Sequence, residues 1–388
     1  MQKKLIVVAV AGLFSTAAFA QTTVTLSGLM DLGYQNASLE AAGVKTNNAN
    51  FGVLNGSSTS NVAITAVEDL GNGLQAKVYI ETDPAFGTST GAAFANAPNW
   101  IELSSKSWGS LSLGYINNFA LTASSTSQPL GTAIGSAYSG GFGRLDGVNV
   151  LGTFTVVPLG GAGVRDIRVN NTIQYKTPSF SGFTAGVQYK VKNTDAGAAA
   201  ANQIGQTQIG LGYNNGPLNI AYAHSQIQSA TILGGTSDKL THQLIGANYS
   251  FGPATIYAGW TSSKTNQSSD VDAQSWNIAG KYAFTPTLAG MINVVRVNDK
   301  NVGDQDRNLN GLGLDYSMSK RTTAYLRFEN GDNDKSGTTG GGNGSFTRYA
   351  LGLRHSFSYR AGLVSVRYRN LKATLRGGFF YFLGAKHR

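Results

Sequence analysis

Apolar and polar residues alternate with a period of two along most of this chain. Val24, Leu26, Met30, Leu32 and Tyr34 fall on one face of an extended segment, while Thr25, Ser27 and Asp31 fall on the other. That is the pattern of a strand with a different environment on each side. It returns downstream in Ile209, Leu211 and Tyr213, in Ile245, Ala247 and Tyr249, in Trp276, Ile278 and Tyr282, and in Leu312, Leu314 and Tyr316. Each of these sets ends in an aromatic residue just before a turn.

Seven short turns punctuate the pattern: Gly71-Asn72-Gly73, Ser107-Trp108-Gly109, Ser179-Phe180-Ser181-Gly182, Asn214-Asn215-Gly216-Pro217, Phe251-Gly252-Pro253, Phe284-Thr285-Pro286 and Ser317-Met318-Ser319-Lys320. From Ser179 onward their starting points lie 35, 37, 33 and 33 residues apart. Each interval holds two strands of about 10 residues and one loop, the arithmetic of a membrane β-hairpin. Seven turns on one side imply eight loops on the other, and hence sixteen strands. The expected fold class is all-β, a 16-stranded antiparallel transmembrane β-barrel.

Polar stretches at 38–58, 83–97, 117–165, 193–206, 226–240, 262–273, 298–308 and 330–345 read as the loops, rich in Asn, Ser, Thr, Gly and Asp. The third, some 49 residues long, exceeds what a structureless connection usually reaches and is expected to be functional. Folded inward, this long loop 3 would narrow the lumen. Tyr213, Tyr249, Tyr282 and Tyr316 are expected to form an interfacial girdle, because an apolar ring with a polar tip settles where hydrocarbon meets water. Were they core tyrosines of a soluble β-protein, Gln208, Asn248, Asn277, Lys281 and Asp315 would lie at its surface and nothing would fill its interior.

The amino terminus adds a compartment. Met1-Gln2-Lys3-Lys4, an apolar run from Leu5 to Phe14 and the small-residue site Ala18-Phe19-Ala20 describe a secretory signal peptide, residues 1–20, cut before Gln21. The apolar run is shorter than the ~20 residues of a spanning helix. The rest of the chain has no longer one, so a membrane form must be a barrel.

Charge and composition narrow the function classes. Cysteine is absent, which removes disulfide and thiolate chemistry. The formal net charge of +10 points to a polyanion only until it is located: between residues 21 and 357, 21 basic side chains face 20 acidic ones. Nucleic acid is therefore not an expected partner. Gly87-Thr88-Ser89-Thr90-Gly91 matches a nucleophile elbow, but it lies in a polar loop with no following helix and no histidine with a readable partner. Asp306, Asn308, Asn310 and Gly311 open like a calcium loop, yet Ser317 stands where a bidentate glutamate is required. No catalytic residue, metal site or cofactor is expected.

At this point the chain resembles the general porins of Gram-negative outer membranes, in particular the β-proteobacterial family. The resemblance covers residues 1 to 357 and is carried by several motifs in order. They are Val24-Thr25-Leu26-Ser27-Gly28, Glu68-Asp69-Leu70-Gly71-Asn72-Gly73-Leu74, Arg168-Val169-Asn170-Asn171-Thr172 through Ser179-Phe180-Ser181-Gly182-Phe183, Ser319-Lys320-Arg321-Thr322, and Leu351-Gly352-Leu353-Arg354-His355-Ser356-Phe357. It implies a homotrimer in the outer membrane, surrounded by lipid and lipopolysaccharide and assembled by the barrel-assembly machinery. It also implies passive diffusion of small hydrophilic solutes and ions, with loop 3 folded into the pore. Many members prefer anions because arginines line the constriction. Here the corresponding positions read Ser60-Asn61-Val62, Asn99-Trp100 and Leu113-Gly114-Tyr115, so the basis for strong anion selectivity is missing.

Constriction residues must have lumen parity and lie near mid-barrel. Lys77 alternates against Leu74, Ala76, Val78 and Ile80, and Glu81 shares its face; Arg168 shares a face with Asn170, Thr172 and Gln174. On loop 3 the charged positions are Arg144, Asp146, Arg165 and Asp166. Opposed charges of this kind would orient polar solutes in a transverse field. A secreted β-propeller is the alternative architecture, but a blade needs four short strands per repeat. A sugar-type channel would need a ladder of lumenal aromatics, for which only Tyr79, Trp100 and Tyr325 have inward parity.

Phe357 ends the terminal-strand signature, and 31 residues follow it with seven basic and no acidic side chains. Composition changes abruptly at Ser358. The expected division is therefore a barrel over 21–357 and a basic extension, 358–388, outside it.

Overall fold

First and last strands close the sheet on itself. In the computed structural model, β1 (Thr23–Ala41) pairs along its whole length with β17 (Gly344–Gly362), Thr23 opposite Gly362 and Ala41 opposite Gly344. Between them run β2 (Val44–Val53), β3 (Asn61–Gly71), β4 (Leu74–Thr82), β5 (Asn99–Ser105), β6 (Gly109–Asn117) and helix α1 (Phe119–Thr126). There follow β7 (Arg168–Lys176), β8 (Phe183–Lys190), β9 (Gly205–Asn215), β10 (Leu218–Gln228) and β11 (Lys239–Phe251). The series continues through β12 (Ala254–Thr265), β13 (Asp272–Ala283), β14 (Leu288–Asp299), β15 (Arg307–Ser317) and β16 (Thr322–Asn333). Each strand bonds its neighbour in one closed antiparallel sheet. Closure leaves no edge whose backbone groups would go unpaired in hydrocarbon.

The structure describes residues 22–41, 44–53, 56–84, 93–136, 168–192, 205–228, 239–265, 272–299, 306–333 and 344–362. The expected signal peptide, Arg144, Asp146, Arg165, Asp166, the segment 87–91 and the chain beyond Gly362 lie outside these described residues.

All seven anticipated turns join the strands expected of them. In the first, Gly71, Asn72 and Gly73 adopt φ of 83°, 52° and 77°, the left-handed region where only glycine and asparagine sit without strain. The Asp69 carboxylate accepts from the Gly71 amide at 2.9 Å.

Alternation sets the two faces. Asn277 is 1% exposed, while the adjacent Ile278 is 62% exposed. Exposed Leu, Ile, Val and aromatic side chains cover the outside of the barrel and amides and hydroxyls line the inside, the reverse of a soluble fold.

Three features depart from the expected layout. Residues 38–58, expected as a loop, are largely the ends of β1 and β2, whose ladder runs from Leu32 opposite Val53 to Ala41 opposite Val44. The Asn and Thr content of β2 reads as loop, but its exposed side chains need no apolar face, and backbone pairing holds it. The lower half of β1 pairs instead with β3, Thr23 opposite Val67 and Leu29 opposite Asn61. β2 and β3 thus share one place around the barrel, giving seventeen ladder segments in sixteen positions.

Secondly, the strand expected to end at Phe357 continues to Gly362, with Ser358 through Gly362 opposite Ser27 through Thr23. β1 starts five residues below Gly28, the partner of Phe357, and its free backbone groups accept any sequence.

Thirdly, part of the inward face is apolar. Ala221, Ala223, Leu244, Val295 and Leu309 are buried in one cluster with Ala120 and Ala123 of α1. Asn118 caps this helix, its side-chain oxygen accepting from Leu121 N at 3.0 Å. Bare backbone lets the helix approach: a Cβ at Gly246 would lie 2.0 Å from the Ala123 carbonyl oxygen.

Candidate pore lining

Cross-strand partners share a face, so each row of the ladder can be followed around the inner wall. One row runs Lys77, Glu102, Ser112, Gln174, Gln188 and Gln208. Two neighbouring pairs in it are hydrogen-bonded: the Ser112 hydroxyl donates to Glu102 at 2.9 Å, and the Gln174 amide donates to Gln188 at 2.6 Å. The row above it reads Tyr79, Trp100, Gly114, Thr172 and Lys190. Lys190 donates to the Asn170 side chain.

Residues 118–136, the start of the third connection, bond to inward-facing groups of β9 through β16. The Phe119 amide donates to Gln208 at 2.6 Å, and Asn248 donates to the Thr126 carbonyl at 2.9 Å. Asn277 donates to the Ser127 carbonyl at 2.8 Å, and Asn293 to that of Gly135 at 3.1 Å. Gly135 N–H in turn donates to Glu329. The wall of β4 to β7 has no such cover among the described residues.

Charges on the two walls are arranged differently. On the β15–β17 side they are matched: Arg327 lies 2.7 Å from Asp315, and Arg348 pairs with Glu329. Asp31 is fully buried, accepting from the amides of Ser57 and Ser58 at 2.7 and 2.8 Å and from the Tyr325 hydroxyl. On the β4–β7 side, Lys77 places its ammonium 4.8 Å from the centroid of Trp100, and Lys176 lies 5.9 Å from that of Phe119. Among the described residues, no carboxylate lies within salt-bridge distance of either lysine. Glu81 accepts from the Tyr79 hydroxyl and lies 3.9 Å from Arg168, which binds Asp83 at 2.7 Å.

The sequence-derived residues Lys77 and Glu81 lie on one inward face with Tyr79 between them. Arg168 reaches the same cluster, but not by the alternation expected of it. Asn171 has φ of 52°, and the β6–β7 register slips between Gly114 and Ile116. The bulge breaks the shared face with Thr172 and Gln174 and sets Arg168 opposite Asn117. Of the three inward aromatics, Tyr79 and Trp100 stack at 5.3 Å, whereas Tyr325 is buried on Asp31. The described lining therefore holds no continuous aromatic ladder. Tyr249, Tyr282 and Tyr316 are exposed beside the short turns, and Tyr213 is half-buried against Phe183 at 4.4 Å.

Sequence reasoning missed Asp31, Glu102, Lys176, Lys190, Asp315, Arg327, Glu329 and Arg348. For six of them the signal was present: Asp31, Glu102, Lys190, Asp315, Arg327 and Arg348 each lie beside an exposed apolar residue of opposite parity, as Arg327 does beside Leu326.

Comparison with known proteins agrees with this architecture. The chain is 29% identical over 380 residues to an outer membrane porin protein of Bordetella pertussis, covering 84% of this chain and 93% of that one. Its fold matches an anion-selective porin from Comamonas acidovorans with a TM-score of 0.70 at 24% identity, over 87% of this chain and 100% of that chain. It also matches the trimer form of an outer membrane protein of Vibrio cholerae, with a TM-score of 0.61 at 13% identity, over 87% and 100% of the two chains. A model of the Gram-negative porin family matches residues 7–336, and the chain belongs to that family.

Proposed function

We propose that the inward face lines a water-filled passage through which small hydrophilic solutes and ions diffuse across the outer membrane, with weak selectivity. The observation that carries this reading is the alternation of inward polar and exposed apolar side chains in the same strands, as at Glu102 and Ile101. A lipid outside and water inside is the environment that such alternation fits. The third connection folds into the passage and sets its narrowest cross-section, a reading supported by the bonds of residues 118–136 to the inner wall. Lys77, Glu81 and Arg168 face the constriction from the wall, and Arg144, Asp146, Arg165 and Asp166 supply two charges of each sign from the loop. Lys77 and Lys176, held by aromatic faces rather than carboxylates, tilt the balance toward anions without arginine-driven exclusion of cations.

The working unit is a homotrimer exported by the signal peptide, inserted by the barrel-assembly machinery and held among lipid and lipopolysaccharide. Tyr213, Tyr249, Tyr282 and Tyr316 mark the interface on the short-turn side. Purified protein in a planar bilayer under a KCl gradient tests the function. A stable conductance with a small reversal potential toward that of chloride is expected, and no conductance from folded trimers would end the pore reading.

Residues 358–388 follow the Phe357 signature with seven basic and no acidic side chains, so the signature lies inside the chain. A chain stopped at Phe357 keeps the β1–β17 ladder from Gly28 upward. It is expected to insert into membranes in higher yield than the full chain, measured by heat-modifiable migration. Equal yields would show that the extension does not impair assembly.

A further inference from the structure

Trp100 lies on the inward face of β5, and its surroundings do more than fill the space. Tyr79, directly opposite on β4, stacks on the indole at 5.3 Å between ring centroids and 22° between planes. On the other flank the cross-strand neighbour is Gly114, which has no side chain to cover the ring. The indole is half-buried rather than enclosed, and the Lys77 ammonium lies 4.8 Å from its centroid. The carboxylates and the arginine around this platform are already engaged: Glu81 takes the Tyr79 hydroxyl and lies near Arg168, Arg168 holds Asp83, and Glu102 takes the Ser112 hydroxyl. An aromatic face and an ammonium with no carboxylate in salt-bridge distance among the described residues therefore lie together on the wall that residues 118–136 leave uncovered.

Resting on the pore reading, we propose that Trp100, Tyr79 and Lys77 form a transit subsite for aromatic carboxylates. The solute ring lies on the indole beside Gly114, and its carboxylate takes the Lys77 ammonium from the π face. Both halves of the contact matter. A ring without charge leaves the cation where it is, and a carboxylate without a ring gains only the exposed ion pair. Ring stacking of this kind is worth about 5-fold in occupancy.

The test compares benzoate with acetate, equal in charge and different in the ring, at matched ionic strength and mildly alkaline pH. The full chain conducts KCl in a planar bilayer, and the concentration of each anion that halves the current is read. Benzoate is expected to halve it at a concentration about 5-fold below acetate. Trp100→Ala abolishes the difference, Trp100→Phe keeps most of it, and Lys77→Met raises the benzoate concentration needed. Equal concentrations for the two anions in the unaltered protein would overturn the subsite without any variant. An unchanged benzoate preference in Trp100→Ala, with KCl conductance showing that a pore has formed, would also overturn it. Absence of KCl conductance in the unaltered protein would remove the pore reading and the subsite with it.

Discussion

Glu329→Ala is expected to destabilise the barrel by about 3–5 kcal/mol, the range for removing one partner of a buried ion pair. Glu329 is fully buried, pairs with Arg348 and accepts from the Gly135 amide. Truncation therefore strips a charge from a neutral wall and a carboxylate from the anchor of the third connection. The loss reads out as a lower temperature for the shift between folded and unfolded bands on a detergent gel. Glu329→Gln keeps an acceptor for Gly135 but not the charge, and should fall between. Full stability in Glu329→Ala would mean that the pair is solvated.

Ile101→Lys and Glu102→Lys put the same charge on adjacent residues of β5 with opposite consequences. Ile101 is exposed on the outer face, six residues from the Ser107 turn. A lysine there meets hydrocarbon near the bilayer midplane and is expected to lower stability by about 2–4 kcal/mol. Glu102 faces inward across from Lys77, so its replacement should leave folding nearly intact. The conversion replaces a lumenal negative charge with a positive one beside Lys77 and Lys176. The reversal potential under a KCl gradient should move further toward that of chloride. Equal destabilisation by the two substitutions would contradict the assignment of faces.

Much of this was legible because two simple signals agree. Turns such as Gly71-Asn72-Gly73 demand particular backbone angles, and strands such as Ile209-Leu211-Tyr213 demand lipid on one side. Spacing then counted the strands. β2 was not legible, since Asn47 and Asn48 stand above the apolar zone and carry no alternation that distinguishes strand from loop. Nor was the strand beyond Phe357, where pairing with Thr23–Ser27 depends on backbone position and not on side-chain type.

The lining was legible by parity and hidden in its partners. Lys77 and Glu81 announced their face, but nothing in the sequence joins Asp31 to Tyr325, nearly three hundred residues away. Nor does any pattern in the sequence bring Ala221, Ala223 and Leu244 together with Ala120 and Ala123 of α1. A single extra residue near Asn171 redirected Arg168, and a bulge of that kind leaves no periodic trace.

Absence of cysteine makes one measurement direct. Cysteine placed in turn at Lys77, Val78, Tyr79, Ile80 and Glu81 gives five proteins, each with one thiol. A charged, membrane-impermeant thiol reagent is applied to each in a bilayer while current is recorded. Modification and a fall in current are expected at 77, 79 and 81, with no change at 78 and 80. Reaction at 78 and 80 instead, or at all five alike, would contradict a wall with lipid on one face and a water passage on the other.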